Sequence, residues 1–312
     1  MNLIGLMPVR NEDWVLARSA RAALDWCDAL VINLHACTDN SLSIAQALKA
    51  EFPGRVRLMI TDEPEWREME HRQQMLMWAR AGIVQSIRGV TTRSEGATHI
   101  ASIDADEILT PNLVPLIRGI INNLDPGELL FLPWLAIRAM HWGTCKFSYI
   151  ADNVDRSVVV AWKDDPRYYW SAEDRGGYQF HHRHPFVKGP ESYQQPIFPL
   201  TAEQGGMMHL QFLSIRRLLA KQALYKMQEL LRWPGKYFGA QDTAALLKVN
   251  ALYDHTIQRL ENPVRPLPSA WSFDTREMNI WDPEPWQLAE CRRLIAEHGR
   301  ERFAGLNLFG IV

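Results

Sequence analysis

Only four cysteines occur in the 312 residues, and Cys27, Cys37, Cys145 and Cys291 stand far apart without a C-x-x-C pair. That spacing argues against a zinc ribbon and against a disulfide framework. Uninterrupted apolar runs are short, and none approaches the roughly 18 residues that a membrane span needs. Charge of one sign is missing too: 34 Lys and Arg face 36 Asp and Glu, a formal net charge of −2, so the chain as a whole is no polycation. Internal repeats and low-complexity tracts are absent. The opening residues Met1-Asn2-Leu3-Ile4-Gly5-Leu6 read as a strand, too short and too uncharged for a signal peptide. The expectation from these absences is a soluble, cytoplasmic protein of a reducing compartment, without a transmembrane segment. What is present is ample apolar content, 47% of residues, enough for the core of one large domain or one and a half. Tryptophan is plentiful at 12 residues, for core volume and for flat surfaces against a ring-shaped ligand.

Over the first 135 residues, strand-like and helix-like segments alternate. Strands are predicted at Leu3–Met7, Ala29–Leu34, Arg55–Ile60, up to Asp104 and at Leu129–Pro133. Helices are predicted at Asp13–Ala23, Ser41–Ala50, Trp66–Ser86 and Asn112–Ile121. Strands separated by helices of this length imply βαβ units and an α/β fold with a mostly parallel sheet. Beyond residue 135 the pattern loosens into Trp-, Tyr-, Gly-, Pro- and His-dense sequence with one short strand, Ser157–Trp162. Helical spacing returns at Leu213–Leu231, ended by Trp233-Pro234-Gly235, then at Ala244–Leu260 and near Pro285–His298. These helices form a C-terminal extension over residues 213–312.

The most informative segment is Ile103-Asp104-Ala105-Asp106-Glu107, the acidic end of the apolar run Thr98-His99-Ile100-Ala101-Ser102. Clustered carboxylates at the end of a buried strand repel one another unless something positive lies between them. A hard divalent cation is the simplest such partner, since Mg²⁺ or Mn²⁺ takes one or two carboxylates and fills its other positions with water and phosphate oxygens. Open α/β sheets bind ligands at the C-terminal ends of their strands. The other strands end in polar, carboxylate-bearing segments as well: Pro8-Val9-Arg10-Asn11-Glu12, His35-Ala36-Cys37-Thr38-Asp39-Asn40-Ser41 and Thr61-Asp62-Glu63. The alternative is an acidic loop in which Asp106 and Glu107 cap the following helix.

Met7-Pro8-Val9-Arg10-Asn11-Glu12, then a strand and Cys37-Thr38-Asp39-Asn40-Ser41, then Ile103-Asp104-Ala105-Asp106-Glu107-Ile108-Leu109 resemble the inverting glycosyltransferases of family 2. The match covers roughly residues 3 to 125. It implies a GT-A fold, a Rossmann-like, mostly parallel sheet flanked by helices. It also implies transfer of a sugar from a nucleoside-diphosphate sugar, a UDP-sugar favoured, with Mn²⁺ or Mg²⁺ as cofactor. By resemblance, Pro8, Val9, Arg10, Asn11 and Glu12 would line the base and ribose, and Asp39 and Asp62 would face the nucleoside. Arg72 would approach the diphosphate, Asp104, with Ala105 beside it, would touch ribose or sugar, and Asp106 would bind the metal. The family commonly has an acidic residue where this chain has His35. Its catalytic Glu-Asp pair often lies about 70 residues beyond the D-x-D, where this chain has Glu173-Asp174; Asp174 is the candidate base and Glu203 the reserve. His209, after Gly205-Gly206-Met207-Met208, falls where many GT-A enzymes complete the metal shell. On this reading residues 1–135 bind the donor and 136–212 carry acceptor binding and catalysis.

Two further segments bear on the acceptor. The cluster His181-His182-Arg183-His184-Pro185 lacks a nearby cysteine, so it reads as a phosphate- or acceptor-contacting loop, with His182 and His184 as candidates, rather than a zinc site. From Leu213 to Lys248 there are seven cations, including Arg216 and Arg217, against Glu229 and Asp242, with aromatics interleaved. A cationic, aromatic surface suits an anionic acceptor, a glycan or lipid bearing phosphate or a modified base in DNA; the alternative is an amphipathic helix with a solvated cationic face. Competing functions are a nucleotidyltransferase, against which stands the absence of glycine in Met7-Pro8-Val9-Arg10-Asn11, and a non-catalytic nucleotide-sugar or glycan-binding module. Retention of anomeric configuration stays open, as does the oligomeric state.

Overall fold

The computed structural model of the chain describes residues 1–65, 67–82, 84–87, 90–93, 95–142, 145–150, 156–175, 183–188, 194–232, 243–281 and 284–312. Strands β1 (Leu3–Val9), β2 (Ala29–His35) and β3 (Val56–Thr61) alternate with helices α1 (Leu16–Leu24), α2 (Ser41–Glu51) and α3 (Glu68–Arg80). The hairpin β4 (Val84–Ile87) and β5 (Val90–Arg93) precedes β6 (His99–Ser102), β7 (Glu107–Leu109) and α4 (Val114–Asn122). Then come β8 (Glu128–Trp142), β9 (Cys145–Ile150), β10 (Ser157–Lys163), the pair β11 (Tyr168–Tyr169) and β12 (Phe186–Val187), β13 (Gln195–Ile197) and β14 (Met207–His209). Helices α5 (Ile215–Arg232) and α6 (Thr243–Gln258), strand β15 (Val264–Pro266) and helix α7 (Trp286–His298) complete the order.

Two compact units result, and they interleave along the chain rather than following the serial division 1–135, 136–212 and 213–312. The first comprises Met1–Leu135, Asn153–His209 and Pro268–Met278, the second Ala136–Asp152, Leu210–Leu267 and Asn279–Val312. In the first, β6, β1, β2 and β3 form the expected parallel sheet in that order. Strands β1, β2 and β6 are buried on both faces, which is why they read as continuous apolar runs, whereas β3 at the end of the order leaves Ile60 exposed. Alternation sorts their side chains. Leu3, Met7, Leu30, Ile32 and Leu34 share a core with Leu16, Ala20 and Leu48 of α1 and α2. Ile4, Leu6 and Val31 pack with Met69, Met75, Leu76 and Ala79 of α3. Beyond β6 the sheet turns antiparallel through β10 and the first half of β8, so it is mixed on that side.

The predicted helix over residues 66–86 is shorter. It stops at Arg80, because Gly82 takes a left-handed φ of 72° and its N–H closes on Ala79 O at 3.1 Å. Val90-Thr91-Thr92-Arg93 then pairs back on Val84–Ile87, as β-branched residues favour. In the second unit, Leu224, Met227 and Leu230 of α5 pack with Val249 of α6 and Cys291 and Leu294 of α7. There β9 pairs with the second half of β8 and with β15. Cys27, Cys37 and Cys291 are free thiols, and no described helix is long and apolar enough to cross a membrane.

Candidate functional site

Parallel register brings the C-terminal ends of β1, β2, β3 and β6 to one edge, with Val9 beside Leu34 and His35 beside Thr61. The first two loops are stitched together there. Asn11, with φ of 55° and 3% exposure, accepts from the Thr38 and Asp39 N–H groups through Oδ1 and donates to Thr38 Oγ1. Asp39 accepts from Asp13 N at 3.0 Å and Ser41 N at 2.9 Å, so its carboxylate closes the loop onto the first turn of α2. Burial, then the facing Asp39 charge, raise the Asp13 pKa. Glu12 accepts from Trp14 Nε1 and Arg10 donates to Pro64 O. Pro8 is half-buried; Val9 and Ala105 are core residues, which leaves only their backbones to face a ligand. Asp62 is exposed on the loop after β3. Beside it His35, donating from Nε2 to Glu63 O, meets His71 with ring centroids 4.6 Å apart. Burial, with His35 adding to it, pushes the His71 pKa down to about 4.

At the acidic strand end, the positive partners inferred from the sequence exist within the chain. Arg183, from the histidine-rich segment, forks onto Glu107 at 2.8 and 2.5 Å and reaches Asp104 Oδ2 at 3.1 Å. Its remaining hydrogens go to Ser102 O and Val159 O. Burial works against its charge, and Glu107 and Asp104 more than offset that, holding its pKa above the usual guanidinium value. Arg72 reaches Asp104 Oδ1 from the other side and pairs with Glu68 at 2.8 Å. Asp104 is therefore clamped between two buried arginines, and Glu107, with no exposed side chain, accepts four donors, the others being Asp104 N and Trp134 Nε1. Glu107 thus holds the turn together, and it is not a helix cap.

Asp106 faces a histidine instead. Its Oδ2 lies 3.4 Å from Nε2 of His209, and both residues are 5% exposed. Strand pairing sets this up, since β14 runs antiparallel to β7 with His209 opposite Glu107. Two glycines allow the approach. Gly205 has φ of 122°, and a Cβ on Gly206 would stand 2.2 Å from Pro133 O. Two ligands at about 2.1 Å in adjacent octahedral positions stand about 3.0 Å apart, so this oxygen–nitrogen pair suits one Mg²⁺- or Mn²⁺-sized ion with small adjustment. No three His, Cys, Asp or Glu side chains converge as a metal group among the described residues, so water and ligand oxygens would complete the shell.

The remaining candidates are dispersed. Asp174 is exposed on the single turn Glu173–Arg175. The segment leading to it is tied to α3, because Trp170 N donates to Gln73 Oε1, the side chain next to Arg72. Glu203 is exposed in the turn before Gly205. His184 is half-buried, with its pKa lowered by burial, and His182 lies outside the described residues. Arg216 and Arg217 belong to the second unit. Arg216 pairs with Glu284 at 3.2 Å, while Arg217 is 5% exposed and Lys226 of the same helix fully buried, held by Asp254 and Asn307 O. The cationic surface read from the sequence is thinned by those two residues. Nothing in the sequence singles out Trp134 or Glu68, and Arg183 stands out there only as a member of the histidine-rich segment. A lone arginine among histidines, remote in sequence, gives no spacing signal for an ion pair with Glu107.

No protein-family profile and no curated protein matches the chain. Among solved structures it is similar to S. aureus TarS 1-349, at 11% identity and TM-score 0.39, covering 83% of this chain and 69% of that one. GalNAc-T7 with UDP, GalNAc and Mn2+ gives 11% identity, TM-score 0.36 and 73% and 50% coverage. The Pyrobaculum calidifontis mannosyltransferase PcManGT in complex with GDP-Man and Mn2+ gives 10%, 0.38, and 95% and 74%.

Proposed function

We propose that the chain transfers a sugar from a nucleoside-diphosphate sugar to an acceptor hydroxyl, with a divalent cation held by Asp106 and His209. The observation that carries this reading is the Asp106–His209 pair, 3.4 Å apart at the acidic strand end, beside the stitched loops that follow β1 and β2. A divalent ion there would neutralise the charge developing on a diphosphate leaving group. Asn11 and Asp39 keep their loops in one shape, so the base and ribose would meet a preformed cradle. Asp104, clamped by Arg72 and Arg183, is directed to ribose or sugar hydroxyls rather than to the ion, because both its oxygens already face guanidinium groups. Arg72 in turn carries positive charge to the edge where phosphates would lie.

A direct displacement with inversion needs a carboxylate to take the acceptor proton. Asp174 is our assignment, supported by its exposure and by the Gln73 tie of its segment to α3; Glu203 is second. The buried state of Arg217 and Lys226 removes much of the support for an anionic acceptor held by α5, so the acceptor is assigned only as a hydroxyl compound. A thermal-shift panel of nucleoside diphosphates and their sugars, UDP and GDP-mannose first, with and without Mn²⁺, tests the reading. Metal-dependent stabilisation by one nucleotide would support it. No shift with any donor at saturating metal would remove it. Stabilisation without turnover on any hydroxyl acceptor would favour a non-catalytic binding module.

A further inference from the structure

Trp134 has no part in the chemistry above, yet it makes two contacts that converge on the proposed metal pair. Its indole stacks on the His209 ring, with centroids 4.2 Å apart and planes 13° from parallel. Its Nε1 reaches past that ring to Glu107 Oε1 at 2.8 Å. Glu107 is the residue directly opposite His209 in the β7–β14 ladder, and β14 also pairs with β8, the strand that carries Trp134. Three neighbouring strands therefore close a triangle of Glu107, Trp134 and His209. Its Glu107 corner is immobilised by the two-pronged Arg183 contact and by Asp104 N.

We infer that Trp134 and Glu107 are the positioning residues of His209. The indole face fixes the plane of the imidazole, the Glu107 bond fixes the indole, and together they aim Nε2 at Asp106 before any ion arrives. An imidazole on a free rotor would lose that freedom on ligation, whereas a stacked ring has already lost it. Hydrogen-bonding groups that orient a ligating histidine typically change metal affinity 10- to 100-fold when removed, and an orienting stack is assigned an effect of that order. The inference rests on the metal-binding reading of the pair. It adds a function for Trp134 and a second one for Glu107, whose bonds to Arg183 and Asp104 are otherwise purely structural.

The test is Mn²⁺ binding by the full chain, followed as loss of the free-ion electron paramagnetic resonance signal, for wild type, Trp134→Leu, Trp134→Phe and His209→Ala. UDP affinity in EDTA and the thermal midpoint are measured alongside. Trp134→Leu is expected to weaken Mn²⁺ binding 10- to 100-fold. Trp134→Phe keeps a stacking ring and loses only the Glu107 bond, so it should lose less than tenfold. Metal-free UDP affinity should stay within twofold in both. Mn²⁺ affinity within twofold of wild type in Trp134→Leu, while His209→Ala abolishes binding, would overturn the positioning role and leave the metal site standing. Equal losses of Mn²⁺ and metal-free UDP binding in Trp134→Leu would mark Trp134 as a general packing residue and also overturn it. Absence of Mn²⁺ binding in wild type would overturn the metal reading and this inference together.

Discussion

Replacing Arg183 with methionine fills much of the same space and removes the only guanidinium among the described residues that reaches both Glu107 and Asp104. Glu107, with a side chain 0% exposed, would then be a buried carboxylate whose remaining donors, Trp134 Nε1 and Asp104 N, are both neutral. Removing one member of a buried ion pair costs about 3–5 kcal/mol, chiefly because of the charge left behind. Glu107→Gln should cost less, since Arg183 would keep Asp104 and two carbonyl acceptors. Combining Arg183→Met with Glu107→Gln buries no lone charge at Glu107. The double variant should therefore be about 1–3 kcal/mol more stable than the sum of the single losses implies. Urea unfolding of all four proteins gives the cycle. A loss below about 1 kcal/mol for Arg183→Met, or strict additivity, would refute the view that this arginine answers the acidic strand end.

Asp106→Ala should abolish Mn²⁺-dependent stabilisation by nucleotide while leaving the far-ultraviolet circular dichroism unchanged; an undiminished shift would place the ion elsewhere. Asp174→Asn should lower kcat by orders of magnitude with donor affinity nearly constant, because a base acts on the acceptor; full activity would transfer the role to Glu203. His71 is held neutral by burial and by His35, with its pKa down at about 4 against 6.5 for the unfolded chain. Its contribution is complete above pH 6.5 and is lost as pH falls toward 4, a change of about 3 kcal/mol at most. Stability profiles of wild type and His71→Gln between pH 4 and 7 should diverge accordingly, and parallel profiles would refute the assignment. Arg217→Glu should cost more than about 2 kcal/mol, because a charge would be reversed in a buried position, whereas exposed Arg216→Glu should cost less than about 1 kcal/mol. Equal urea midpoints for the two variants would contradict the burial of Arg217.

Much of the parallel core was readable because local rules suffice there. The β2 run Ala29–His35 is buried throughout, and the period-3.6 pattern of α1 lies against it, so the βαβ order follows from residues near one another in the chain. Predicted helix ends missed where a single backbone conformation decided them, as at Gly82 after α3. The antiparallel β7–β14 pairing lay beyond reach, since it joins Glu107 to His209 across about a hundred residues and depends on glycines that admit a close approach. The carboxylates of the acidic strand end were visible as a charge problem, and the sequence alone pointed to an external cation as the answer. Tertiary structure divided that answer. Asp104 and Glu107 are neutralised by Arg72 and Arg183, brought in from α3 and from the histidine-rich segment, while Asp106 faces His209. Charge clustering is a property of adjacent residues and can be read in order along the chain. The counter-charges come from elsewhere in the fold, and which partner each carboxylate meets is decided only when the strands pack.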